Sequence, residues 1–171
     1  MNDYAFLGKP EPFEIERKYL IEYPDVTLLE SLPNCQRVEI IQIYLKTEDG
    51  SETRVRQRSI DGHCTYYRTT KKAVSDIKRV EIENQITEDE YLRLLTDADP
   101  DYRPIQKTRY CLTYDNQCFE IDVYPFWNDR AIMEIELNDE NDAISFPPQI
   151  KVLQEVTADK QYKNASLAKI K

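Results

Sequence analysis

The sequence predicts a mainly β (α+β) fold: eight antiparallel strands forming a barrel or a strongly curved sheet, with few helices. Three observations carry that reading. Eight segments alternate in polarity or are rich in β-branched and aromatic residues. Turn-forming groups separate several of them at hairpin spacing. Charged residues recur two apart, which places both members of a pair on one face of a strand.

In chain order the strands fall at 13–23, 36–46, 52–59, 63–72, 78–87, 103–114, 117–124 and 130–137. Glu48-Asp49-Gly50-Ser51 turns the chain after the second strand, Asp61-Gly62 after the third and Asp115-Asn116 after the sixth. Asp25 to Leu32 reads as a short helical turn that Pro33 ends. Thr87, with Glu90 three residues on, is a capping box that opens a helix through about Thr96. Residues 139–150, with Pro147-Pro148, form an excursion before the closing segment. In the tail from 159 to 170, Tyr162, Leu167 and Ile170 stand at helical spacing. No repeat or linker interrupts the chain, so 1–171 reads as one domain whose first 12 residues are a flexible N-terminal extension.

Composition excludes several classes. Of 171 residues, 40% are hydrophobic and 32% charged, with a formal net charge of -9. That acidity argues against general nucleic-acid binding, though not against a local basic pocket. No apolar run approaches the roughly 20 residues of a membrane span, and Met1-Asn2-Asp3-Tyr4 lacks the basic start of a secretory signal. Cys35, Cys64, Cys111 and Cys118 show no C-x-x-C spacing and fit reduced thiols in a cytoplasmic protein. His63, the single histidine, sits at a turn and gives no basis for a zinc site or a catalytic triad.

The charged alternation is the informative feature. Glu14, Glu16 and Lys18 share one strand face, as do Arg54 and Arg56, and Arg79, Glu81 and Glu83. Lys107 with Arg109, Glu120 with Asp122, and Glu134 with Glu136 repeat the pattern. Any one of these alone is a solvated face of a half-buried strand. Six together, carrying both signs, imply a charged interior. Met133, Ile135 and Leu137 oppose Glu134 and Glu136, and Val80 and Ile82 oppose Glu81 and Glu83, so the apolar sets form an outer core under helices and loops.

Register arithmetic agrees. A two-residue turn at Asp115-Asn116 pairs Tyr114 with Gln117 and sets Arg109 opposite Asp122. An odd connection, Trp127-Asn128-Asp129, then sets Asp122 opposite Glu134 on the same face. Buried charges must pair or hold ions. Carboxylates suit hard Mg²⁺ or Mn²⁺, while Lys and Arg suit polyphosphate oxygens. Together they describe a site for phosphoryl transfer.

Glu14-Ile15-Glu16-Arg17-Lys18 resembles the E-x-E-x-K motif of the CYTH superfamily, the triphosphate tunnel metalloenzymes. Arg54-Val55-Arg56, Thr69-Thr70-Lys71, Arg79-Val80-Glu81-Ile82-Glu83 and Lys107-Thr108-Arg109 resemble that family's R-x-R, T-x-K, R-x-E-x-E and K-x-R strands. Glu120-Ile121-Asp122 and Glu134-Ile135-Glu136 resemble its late acidic strands, and Glu155-Val156-Thr157 with Tyr162-Lys163-Asn164 its closing segment. One departure is Leu153-Gln154, where the family often has a glycine.

The resemblance implies an eight-stranded antiparallel barrel whose tunnel binds triphosphate with Mg²⁺ or Mn²⁺. By position, Glu14, Glu16, Glu134 and Glu136 would be metal ligands. Lys18, Arg54, Arg56, Lys71, Arg79, Lys107 and Arg109 would grip phosphates. Glu81, Glu83 and Lys18 would be catalytic, the two carboxylates placing a second metal and the attacking water, and Asp122 would orient Arg109. The implied reaction is hydrolysis of inorganic triphosphate to phosphate and pyrophosphate. Nucleoside or thiamine triphosphate is the alternative substrate, as in class IV-type adenylate cyclases and thiamine triphosphatases, and a non-catalytic polyphosphate or nucleotide sensor is the non-enzyme alternative. Trp127, Tyr66 and Tyr67 are candidates for stacking on a base, against packing as the simpler role. No nucleic acid or membrane partner is implied, and monomer and homodimer both remain open.

Overall fold

A computed structural model describes residues 13–75 and 77–169, without the side chains of Phe13, Glu14, Ala73 and Arg79; the expected extension at 1–12 and Ile170 lie outside the described residues. The strands are β1 (Phe13–Glu22), β2 (Cys35–Tyr44), β3 (Glu52–Ile60), β4 (His63–Ala73), β5 (Lys78–Ile86), β6 (Ile105–Tyr114), β7 (Gln117–Val123), β8 (Arg130–Leu137) and β9 (Val152–Glu155). Three short helices accompany them: α1 (Val26–Ser31), α2 (Glu88–Leu94) and α3 (Asn164–Ala168). All strands join one antiparallel sheet in the order β5-β4-β3-β2-β6-β7-β8-β1-β9. β1 also meets β5, through Phe13↔Val80, Glu14↔Arg79 and Ile15↔Lys78. The fold is therefore mainly β, as predicted, with nine described strands where the sequence suggests eight.

Local chemistry explains the elements. Asp115 and Asn116, with φ of 48° and 61°, form a two-residue hairpin turn in which both central residues are left-handed. Asp61 and Gly62, at 50° and 83°, do the same between β3 and β4. Asp25 caps α1 by accepting from the Leu28 N–H at 3.1 Å. Thr87 caps α2 through the Glu90 N–H at 3.1 Å, and Glu88, Asp89 and Glu90 face the positive helix end. A single 3₁₀ turn, Leu95–Asp97, continues α2 to the predicted endpoint.

The β6–β7 register is the predicted one, Tyr114↔Gln117 and Arg109↔Asp122. The β7–β8 register is a correction: Glu120 lies opposite Glu134, and Asp122 opposite Ile132. Parity is kept, but the partners slide by two residues. Pro125 has no N–H to extend the ladder, and the Trp127 N–H bonds to the Tyr124 carbonyl at 3.2 Å, closing a longer turn.

Tyr19, Tyr110, Leu112, Phe119, Ile121, Met133 and Ile135 form an apolar cluster with Leu29 of α1 and Ile150. These residues stand opposite the charged sets, forming the outer core the alternation implies; β5 departs from it, because Ile82 is 45% exposed and no apolar cluster among the described residues includes it. In a second cluster Leu20, Tyr44, Ile105 and Ile132 share strand parity with the charged residues and pack with Tyr124, Val156 and Ala168. The inner face is thus charged along one part and apolar along the next.

Candidate active site

Charged side chains from seven strands line one cavity of ≈ 360 Å³. β1 supplies Glu16 and Lys18, β3 Arg54 and Arg56, β4 Lys71, β5 Glu81 and Glu83, β6 Arg109, β7 Glu120, and β8 Glu134 and Glu136. The side chains of Glu14 and Arg79 lie outside the described residues, although their backbones pair with one another. Lys107 does not line this cavity. It is 1% exposed, and its Nζ donates to Asp122 Oδ2 at 2.7 Å. It shares a face with Arg109 but sits deeper, opposite Ile40.

Glu52, Lys72 and Glu120, to which the family motifs assign no site role, also line the cavity. Glu120 belongs to the charged alternation read from the sequence, and Glu52, two residues before Arg54, is reached by the same spacing rule. Lys163, Asn164 and Ala165 reach the cavity from the closing segment, a placement that only tertiary structure reveals. Lys18 Nζ donates to the Tyr162 carbonyl at 3.3 Å, and the Lys18 N–H donates to Thr157 Oγ1 at 3.0 Å. These bonds hold the closing segment against β1.

The site carries paired opposite charges. Arg56 Nη2 donates to Glu83 Oε1 at 2.7 Å, and Thr69 Oγ1 donates to the same oxygen at 3.3 Å. Lys71 Nζ lies 3.4 Å from Glu81 Oε2, and Lys18 Nζ lies 3.4 Å from Glu134 Oε1. Arg109 grips Asp122 through Nε at 2.8 Å and Nη2 at 3.0 Å, while its Nη1 contacts Glu120. Asp122, 0% exposed, therefore receives both Lys107 and Arg109. The Nε groups of Arg54 and Arg56 are buried without a hydrogen-bond partner, leaving donor capacity unmet.

Electrostatics follow the pairing. Burial pushes Glu134 up, but Lys18, Arg109, Lys107 and Lys71 prevail and hold it well below the usual carboxylate range. For Asp122 burial again acts upward, and Arg109 and Lys107 outweigh it. Glu120 is raised, first by burial, against the pull of Arg109. Burial, with Arg54 and Arg109 beside it, brings Arg56 down to about 10 against Glu83. Burial likewise brings Lys107 down to about 7, with Asp122 opposing and Arg109 assisting. For Arg54 burial acts downward, but Tyr44, Glu52 and Glu81 raise it overall.

The donors suit a hard cation by type. Glu16 stands directly across from Glu136, and Glu120 across from Glu134, like-charged pairs that a cation between them would relieve. Among the described residues no three ligating side chains are already gathered into a cage.

The CYTH domain model matches residues 12–169 of this sequence. The chain belongs to the CYTH family. An inorganic triphosphatase of Nitrosomonas europaea is 37% identical over 161 residues, covering 91% of this chain and 96% of the relative. The crystal structure of an inorganic triphosphatase, at 32% identity, superposes with a TM-score of 0.55 over 91% of this chain and 93% of that one. A CYTH-like fold also recurs in a protein of Pyrococcus horikoshii OT3, at 23% identity and a TM-score of 0.55, covering 75% of this chain and 80% of that one.

Proposed function

We propose that this CYTH protein hydrolyses a triphosphate, with inorganic triphosphate as substrate, to phosphate and pyrophosphate inside a barrel tunnel, a reading that the β1–β5 pairing supports. One observation carries the reading: cations of four strands and carboxylates of five converge on a single cavity. Its ≈ 360 Å³ is near the lower limit for small-molecule pockets, and no aromatic ring is among its described lining residues. Both facts favour a bare triphosphate over a nucleoside or thiamine ester, whose ring needs an apolar or stacking wall. Trp127 and Tyr66 instead pack on other rings, Trp127 on Tyr124 at 5.4 Å and Tyr66 on Tyr91 at 4.9 Å. Tyr67 lies under the guanidinium groups of Arg56 and Arg58.

In this reading Arg54, Arg56, Lys71 and Arg109, with Arg79, hold the phosphate oxygens and fix the chain for in-line attack. Lys18 offsets charge developing on the transferred phosphoryl group. Substrate oxygens compete for Lys71 and Arg56, which releases Glu81 and Glu83 to orient water and accept its proton. Glu16, Glu134 and Glu136, with Glu14, would hold Mg²⁺ or Mn²⁺, whose charge neutralises the phosphate oxygens when bound. Lys107 acts through the Asp122–Arg109 contact rather than at the phosphates. The same reading makes the chain one cytoplasmic domain, in keeping with its four free cysteines. No helix among the described residues is long and apolar enough to cross a membrane.

The test is product stoichiometry. Chelated protein given Mg²⁺ or Mn²⁺ should release phosphate and pyrophosphate in equal amounts from inorganic triphosphate. Tight triphosphate binding without product would make the protein a sensor and overturn the enzymatic reading.

A further inference from the structure

A second and larger concavity, ≈ 830 Å³, lies on the other side of the closing segment. The same stretch of chain serves both spaces: Lys163, Asn164 and Ala165 line the charged cavity, while Lys160, Tyr162 and Lys169 line this groove. The reaction proposed above makes no use of the groove.

Its lining is basic on an acidic chain. Arg103, Arg130, Lys160 and Lys169 line it, and no carboxylate is among its described lining residues, on a chain of net charge -9. Asp129 pairs with Arg130 at 2.9 Å and offsets that one cation. Among the described residues Arg103, Lys160 and Lys169 have no carboxylate at ion-pair distance. Arg103 instead donates to the Leu167 carbonyl at 3.3 Å and stands 5.7 Å over the Phe126 ring. Lys169 lies 4.8 Å from the centre of the Tyr102 ring.

Between these cations sit Phe126, Trp127 and Tyr162. Phe126 is 43% exposed, and Trp127 touches it edge-on at 5.2 Å and reaches Tyr162 at 6.2 Å. One exposed and two half-buried rings, flanked by three cations without a carboxylate partner among the described residues, match a ligand that has both a planar aromatic group and phosphate charge. A bare phosphate would leave the rings unused. A long nucleic-acid strand would meet the repulsion of the acidic surface beyond the groove, whereas a mononucleotide would stay within it. The volume falls in the usual range for small-molecule sites.

We propose that this groove is a nucleotide-binding site, with the base against Phe126 and Trp127 and the phosphates on Arg103, Lys160 and Lys169. The proposal is independent of the substrate assigned to the charged cavity. Occupancy would bear on Tyr162, whose carbonyl accepts from Lys18, so the groove is one hydrogen bond from the cavity wall.

Trp127 is the single tryptophan of the chain, so its fluorescence reports the groove directly. The full-length protein is titrated with ADP in the presence of chelator, with pyrophosphate as the base-free control. ADP should change Trp127 emission saturably, with one equivalent bound by calorimetry, and binding should persist in Lys71→Gln, which alters only the charged cavity. Lys160→Gln and the double variant Arg103→Gln/Lys169→Gln should each weaken ADP by about tenfold or more, the loss of one or more charge-assisted contacts. Lys160 is exposed, and its side chain makes no hydrogen bond among the described residues, so that variant keeps the fold if the double variant does not. Absence of saturable ADP binding overturns the proposal, as does an affinity unchanged in Lys160→Gln. Pyrophosphate changing Trp127 emission at as low a concentration as ADP, and losing that effect in Lys160→Gln, would make the groove an anion site and overturn the nucleotide assignment.

Discussion

Replacing Asp122 by Asn should destabilise the protein and disable Arg109 together. Asp122 is 0% exposed and accepts three hydrogen bonds, from Lys107 Nζ at 2.7 Å and from Arg109 Nε and Nη2 at 2.8 and 3.0 Å. Asn keeps the shape but removes the only carboxylate that both cations share in these contacts, and its amide group brings N–H donors against N–H donors. Breaking one partner of a buried ion pair costs about 3–5 kcal/mol. Lys107 limits the loss by giving up its proton, since burial has already brought it down to about 7; Arg109 has no such option. We expect a loss near the lower end of that range, about 3 kcal/mol, equivalent to a fall in Tm of about 6–12 °C for a domain of this size. Urea unfolding at pH 8 should show a lower midpoint with an unchanged slope. Triphosphate hydrolysis at a temperature where the variant is folded should fall through kcat. A variant within about 1 kcal/mol of wild type and fully active would refute the claim that Asp122 fixes Arg109.

Glu134→Gln should leave the circular dichroism spectrum intact and cut turnover by about a hundredfold or more, since it removes a carboxylate paired with Lys18 that the proposed reaction uses to hold a cation. Arg56→Ala should weaken triphosphate binding by about 1.5–3 kcal/mol in calorimetry, the range for a hydrogen bond to a charged group. Thr157→Val should cost about 1 kcal/mol in denaturant, because it removes the acceptor of the Lys18 N–H and the donor to Glu155 at 2.7 Å, loosening the closing segment. Stability should fall with acid below about pH 4.5, because Glu134 and Asp122 are depressed in the fold and contribute only above their unfolded values. Between about 7 and 10.5 the unfolded state holds more protons at Lys107, so that residue makes stability rise with pH there; melting at stepped pH checks both signs.

Eight strands were legible because nearly all carry alternation between an apolar core face and a charged face, and periodicity of two survives without tertiary information. β9 was not, because Val152–Glu155 is too short to show a period and is recruited by pairing with Tyr19 to Ile21 of β1. Spacing fixes the face of a residue but not its depth. Lys107 and Arg109 are indistinguishable in sequence, yet Tyr44, Ile105 and Tyr124 fill the region around Lys107 and leave Arg109 at the cavity. The two-residue slip between β7 and β8 has a similar origin, since the length of that turn depends on how Tyr124 and Trp127 pack. The family motifs cover R-x-R but not Glu52, which shares the face of that pair and lines the cavity.

The most direct test of the account compares kcat/KM for inorganic triphosphate, ATP and thiamine triphosphate with Mg²⁺ or Mn²⁺, each repeated with chelator. The account predicts efficient metal-dependent cleavage of inorganic triphosphate and weak activity on the two esters, because the cavity has charged walls and no ring to receive a base. Preference for ATP with release of cyclic AMP, preference for thiamine triphosphate, or full activity in chelator would contradict it.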